Sequence, residues 1–116
     1  MRNKKDPLLE LVIKCAEDKK AVNTTVLTLR PPHTGLFDHL VLMSGESNPQ
    51  LRAIARELEL RVKRSGIKGI NYEGEVESGW LVLDLGTIIV HVMTPRTREY
   101  YDIEGLWGKE AIVYHV

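Results

Sequence analysis

The chain has a single cysteine, Cys15, so it holds no internal disulfide framework and no structural zinc site built on several thiolates. It has no surplus of either charge: 16 Lys and Arg balance 16 Asp and Glu. A domain that grips phosphate backbones usually carries a basic excess, so general nucleic-acid binding is disfavoured. It also lacks a long apolar run. The basic start Met1–Asp6 leads into a segment interrupted by Glu10, Lys14, Glu17 and Asp18, which excludes a signal-peptide core, and no stretch is long enough to cross a bilayer. A soluble, cytoplasmic protein is the expectation. What remains is ordinary: 116 residues, 43% hydrophobic and 28% charged, the make-up of one folded domain with one core.

Local patterns divide the chain into helices and strands. Asp6-Pro7 is a helix opening, a carboxylate cap followed by proline at the first helical position. Behind it Leu8, Leu9, Val12, Ile13, Cys15 and Ala16 recur at helical spacing through about Lys20. Thr24–Arg30 reads as a strand stopped by Pro31-Pro32, with a loop from Pro31 to Leu36. Asp38–Met43 is almost continuously apolar, as in a strand covered on both sides. A turn-rich cluster, Ser44 to Pro49, leads into the clearest helix, with Leu51, Ile54, Ala55, Leu58 and Val62 on one stripe and Gly66 as its C-terminal cap. Its outer side carries Arg52, Arg56 and the spaced pairs Glu57–Arg61 and Glu59–Lys63, the pattern of a solvated face braced by ion pairs. Ile67–Gly74 reads as a short strand and Glu75–Gly79 as a loop. Trp80–Leu85 and Ile88–Met93 form a hairpin across Gly86-Thr87. Thr94-Pro95 opens a short helix towards Tyr101, which Gly105-Leu106-Trp107-Gly108 breaks up, and the last apolar residues form a minor tail. The fold class is therefore α/β (α+β), a single domain spanning residues 1–116 with a mixed sheet of about five strands flanked by helices.

The two-residue turn fixes the hairpin register, and the register assigns its faces. One face pairs Leu85 with Ile88, Leu83 with Val90 and Leu81 with Val92. It is wholly aliphatic, hence core. The other pairs Asp84 with Ile89, Val82 with His91 and Trp80 with Met93, placing one carboxylate and one imidazole among large apolar groups. Two readings compete for this second face. A helix covers it, with Asp84 and His91 satisfying each other or nearby backbone; or another protein covers it, since Trp and Met are enriched in interfaces.

Signals for chemistry are weak. His33, His39, His91 and His115 stand at no metal-ligand spacing, and an Asp–His pair without a partnered nucleophile is only part of a triad. Ser44-Gly45 after a strand lacks the lysine and glycine pattern of a phosphate-cradling loop. No metal and no cofactor is expected.

Taken together, certain residues resemble a known family. Asp38-His-Leu-Val-Leu-Met-Ser-Gly45, then Glu73-Gly74, Trp80-Leu-Val-Leu-Asp84, Gly86 and Val90-His-Val92, then Arg98-x-x-Tyr101-x-Ile103-Glu104-x-Leu106-Trp107, are similar in order and spacing to the motifs of the ribosomal silencing factor, or Iojap-like, family. The likeness covers about residues 8–107. His39 and Leu40 depart from the family's usual Tyr-Phe, and Met93 stands where Phe is common. The resemblance implies a nucleotidyltransferase-like topology and a binding factor rather than an enzyme. Its expected partner is the large ribosomal subunit, met through a conserved ribosomal protein at the subunit-joining face. There it would sterically keep the small subunit away and repress translation when nutrients are short; relatives in organelles imply a role in large-subunit assembly. A homodimer and a minor rRNA contact through Arg52 and Arg56 are further expectations. The resemblance places Trp80, Asp84, His91, Met93, Arg98, Tyr101, Leu106 and Trp107 on or beside the partner-binding surface. For Tyr101 and Leu106, helix-to-sheet packing is an equal alternative, and Arg98 with Glu104 could form an internal ion pair. An enzyme of nucleotidyltransferase type is the competing class. Such chemistry commonly needs carboxylates at Asp-x-Asp spacing, whereas Asp84 is followed two positions later by Gly86.

Overall fold

Asp6 opens the first helix: its side chain accepts the Leu9 amide at 3.1 Å, and Pro7 takes the first helical position. In the computed structural model, which describes residues 6–29, 37–107 and 111–116, this helix, α1, spans Pro7–Asp18 and buries Leu9, Val12, Ile13, Cys15 and Ala16. The second helix, α2 (Asn48–Arg64), is capped by the Ser47 hydroxyl, which accepts the Gln50 amide, and buries Leu51, Ile54, Ala55, Leu58 and Val62. The spaced pairs on its outer side form, Glu57–Arg61 at 2.7 Å and Glu59–Lys63 at 3.7 Å. Arg61 also reaches Asp18 at 2.9 Å, tying α2 to α1. Surface pairs of this kind contribute little to stability, since solvent screens them and ordering two long side chains costs entropy.

Six strands follow in chain order: β1 (Val22–Leu29), β2 (His39–Ser44), β3 (Asn71–Glu75), β4 (Trp80–Asp84), β5 (Ile88–Met93) and β6 (Ala111–His115). Their order across the sheet is β3-β4-β5-β2-β1-β6, with β2 and β5 parallel and every other neighbouring pair antiparallel. Two short helices, α3 (Pro95–Tyr101) and α4 (Ile103–Trp107), lie between β5 and β6. This is the mixed, helix-flanked α+β sheet expected from the sequence.

The hairpin register is as read from the turn, residue by residue. Leu81, Leu83, Leu85, Ile88, Val90 and Val92 join α1 and α2 in the main core. Every residue of β2 is buried because both of its faces are covered. Val41 and Met43 face the main core, while Leu40 and Leu42 join Leu27, Leu29, Met93, Ile103 and Ala111 in a smaller one beneath α4. The exposed face of the hairpin therefore lies on the side of α3 and α4, opposite α1 and α2.

Three expectations are corrected. The third strand begins at Asn71, not Ile67: Ile67 and Ile70 pack against the main core from an irregular segment. The final apolar residues are a full strand, β6, paired with β1 from Thr25↔His115 to Leu29↔Ala111, so the sheet has six strands. The Gly105 segment is helical. Asp102, at φ 45°, ends α3, and its carboxylate accepts the Gly105 amide at 3.1 Å to start α4. Arg30, the Pro31-Pro32 stop, the loop to Leu36, and Gly108 lie outside the described residues.

Candidate binding face

The side of the hairpin facing α3 and α4 is only partly covered. Met93, beside Ser44 of β2, has no exposed surface and belongs to the smaller core. Trp80, Val82, Asp84, Ile89 and His91 are all half-buried. On the outermost strand, Glu73 pairs with Val82 and Glu75 with Trp80, adding exposed carboxylates to the rim.

At the centre, the indole Nε1 of Trp80 donates to His91 Nδ1 at 2.8 Å. The two rings lie 5.8 Å apart. On its other flank Trp80 packs against Tyr101, ring centroids 4.7 Å apart, and Tyr101 meets Tyr100 edge-on at 4.9 Å. Aromatic pairs at these separations gain energy beyond the burial of their area. Yet Tyr101 remains 54% exposed, Tyr100 80% and Leu106 73%. Trp107 is half-buried and edge-on to Phe37 at 5.8 Å. Burial holds the His91 pKa down, from 6.5 to about 4, so the imidazole is neutral near pH 7.

The eight residues singled out from the sequence thus fall into groups. Trp80, His91 and Tyr101 form one contiguous aromatic cluster. Leu106 projects from α4 and does not pack against the sheet, and Trp107 sits between surface and core. Met93 is corrected from surface to core, because it is fully buried among Leu42, Ile103 and the rest of the smaller core. Arg98 is also corrected: it is buried, and it forms the internal ion pair with Glu104 at 2.8 Å. That pair lowers the Glu104 pKa, chiefly through the hydrogen bond from Arg98. Asp84 and His91 do not satisfy each other. The Asp84 carboxylate accepts the Gly86 amide at 2.9 Å within the hairpin turn, and the imidazole turns to Trp80. Tyr100 was missed; its signal was the tandem Tyr100-Tyr101 on a short helix, only one of which can face the sheet.

Half-buried Trp, Val and Ile around a neutral imidazole, extended by exposed Tyr and Leu and rimmed by carboxylates, have the composition of a protein-docking face. Comparison with known proteins supplies the family. The family model described as "Ribosomal silencing factor during starvation" matches residues 2–115. A "Ribosomal silencing factor RsfS" of Chromobacterium violaceum is 36% identical over 99 residues, covering 85% of this chain and 80% of that protein. A crystal structure of a Chromobacterium violaceum protein superposes with a TM-score of 0.81 at 34% identity, covering 93% of this chain and 88% of the other. A mouse protein named "Mitochondrial assembly of ribosomal large subunit protein 1" is 29% identical over 102 residues, 85% of this chain and 44% of its own length. The chain belongs to the ribosomal silencing factor family.

Proposed function

We propose that this protein represses translation by docking on the large ribosomal subunit, through a conserved ribosomal protein at the subunit-joining face, and keeping the small subunit away. The observation that carries the reading is the half-open aromatic face of Trp80, His91 and Tyr101, with Leu106 exposed beside it, in a chain of this family. A standard interface hides about 800 Å² on each partner. A 13.2 kDa body held on such a footprint obstructs a second subunit by volume, so the strength of the block follows occupancy. No bond need be made or broken, and the protein acts as a binding factor, not an enzyme. Balanced charge suits a protein partner better than a phosphate backbone. Arg52 and Arg56 lie on α2, across the sheet from the aromatic face, so an rRNA contact through them would be separate from the docking face.

Sedimentation through a sucrose gradient tests the reading: the tagged protein should travel with free large subunits and not with joined ribosomes. Trp80→Ala should abolish this in a still-folded protein, and undiminished association of that variant would rule out the face. A role in large-subunit assembly is the second reading, favoured by the name of the mouse relative; accumulation of immature large subunits on depletion would distinguish it. Light scattering at two concentrations, with and without large subunits, separates self-pairing through the same face from docking.

A further inference from the structure

The two nitrogens of the His91 imidazole have different fates. Nδ1 accepts the Trp80 indole N–H at 2.8 Å. An accepting ring nitrogen carries no proton, so the neutral ring bears its hydrogen on Nε2. A protonated ring would bring a second donor against the indole N–H, so ring protonation and this hydrogen bond exclude each other. Nε2 has no hydrogen-bond partner among the described residues, and it is not a sealed, unsatisfied atom: it reaches solvent.

The surroundings give that outward N–H its significance. Val82 stands directly across from His91 in the register, Ile89 lies on the same face two residues earlier, and Trp80 with Tyr101 closes the remaining side. One directional donor therefore stands in an otherwise apolar centre. Water serves it in the free protein. A partner that covers the face removes that water, and an unpaired donor in a dry interface opposes binding. A tight partner must bring an acceptor to this point.

We propose that His91 is the positioning residue of the docking face: held as the Nε2–H tautomer, it fixes the Trp80 indole through Nδ1 and presents Nε2–H to an acceptor oxygen on the docked large-subunit protein. The acceptor is a backbone carbonyl or a side-chain amide or carboxylate. The part concerning the partner rests on the docking reading above. The part concerning the tautomer and Trp80 belongs to the free protein.

Three substitutions divide the two roles. Asparagine places an oxygen near the position of Nδ1, and glutamine places an amide nitrogen near that of Nε2. In the free wild-type protein, the ring-nitrogen NMR spectrum should show an accepting Nδ1 and a protonated Nε2. His91→Asn should leave the Trp80 indole N–H resonance near its wild-type position while weakening large-subunit binding about tenfold, the loss of one hydrogen bond in a dry site. His91→Gln should shift the indole resonance, and His91→Phe should lose both functions and bind most weakly. A protonated Nδ1, or an indole resonance that does not move in His91→Gln, overturns the positioning role. Wild-type affinity in His91→Asn overturns the role of the outward N–H. Should His91→Phe fail to fold, the wild-type spectrum and the two amide variants still decide both points. Failure of the wild-type protein itself to bind large subunits overturns the docking reading and the partner contact together, while the ring-nitrogen spectrum decides the tautomer on its own.

Discussion

Arg98 and Glu104 sit on different helices yet meet in a two-pronged ion pair, Nε to Oε1 at 2.8 Å and a terminal nitrogen to Oε2 at 3.0 Å. The remaining guanidinium donors reach the Asn23 carbonyl at 2.7 Å, the Ser44 hydroxyl at 3.1 Å and the Thr25 hydroxyl at 3.0 Å. The five N–H groups of an arginine are thereby matched. Asn23 offers its carbonyl from a residue at φ 51°, where the β1 register shifts between Val22 and Thr25. One side chain thus ties α3, α4, β1 and β2 and sets the position from which Tyr101 packs on Trp80.

Arg98→Met should cost about 3 kcal/mol in urea denaturation, because it strands Glu104 and several partly buried acceptors. Arg98→Lys should recover less than half of this, since an ammonium cannot reproduce the planar fork. Glu104→Gln should cost only about 1 kcal/mol, because its side chain is one-third exposed. Full recovery of stability in Arg98→Lys would show that charge, not the fork, holds the knot.

The hairpin faces were legible because a two-residue turn leaves one register, and register alone decides which residues share a face. What covers a face was not legible, since that depends on strand order and on where residues 95–107 fold back. Met93 and Trp80 are register partners on one face. Met93 also neighbours Ser44 of β2, beneath the cover, while Trp80 lies one strand further out. Burial separates them, and no local pattern contains that distinction. Arg98 shows the same limit: its spacing to Tyr101 and Glu104 is visible in the sequence, but its partners Asn23, Thr25 and Ser44 are distant in the chain. Likewise β6 was readable only as a tail, because a strand of five residues is defined by the β1 edge it joins.

The depressed pKa of His91 makes stability depend on pH. Its folded value, about 4, lies below the ordinary 6.5, and the cause is burial. Between these values the unfolded chain binds more protons than the folded one, so stability falls as pH drops through this window. The contribution is fully present above pH 6.5 and lost by about pH 4, and it amounts to at most roughly 3 kcal/mol. Urea midpoints followed from about pH 7.5 to 4 should therefore fall for wild type and fall less steeply for His91→Asn, which has no imidazole to protonate. A variant whose profile matches wild type throughout would assign the acid sensitivity to other groups.

Leu106 and Tyr100 are the most exposed large apolar side chains beside the cluster. Replacing Leu106 with Asp should change stability by less than about 0.5 kcal/mol, as for surface positions remote from the core. If the aromatic face docks as proposed, the same change should weaken large-subunit association at least tenfold, because a carboxylate would have to be desolvated in the interface. Tyr100→Ala should do so more mildly. Co-sedimentation at fixed subunit concentration reads both, and a Leu106→Asp protein that binds normally would move the interface off α4.

Gly79, immediately before Trp80, connects backbone geometry to the proposed docking face. It lies at φ 76°, and a Cβ there would stand 2.8 Å from the Thr97 hydroxyl and 3.0 Å from that of Thr94. Thr94 caps α3, its hydroxyl accepting the Thr97 amide, and the Gly79 carbonyl accepts the Thr94 amide at 2.9 Å. Gly79→Ala therefore combines the strain of a left-handed residue with displacement of the first turn of α3. Gly86, at φ 90° with nothing within 4 Å of an added Cβ, carries the backbone strain alone. Gly86→Ala should cost about 1–2 kcal/mol and leave the nuclear Overhauser contacts between the Trp80 and Tyr101 rings intact. Gly79→Ala should cost more, about 2–4 kcal/mol, and weaken those ring contacts. If the two variants lose equal stability and keep equal ring contacts, α3 tolerates the displacement, and the packing of Tyr101 on Trp80 does not depend on how closely β4 approaches the helix cap.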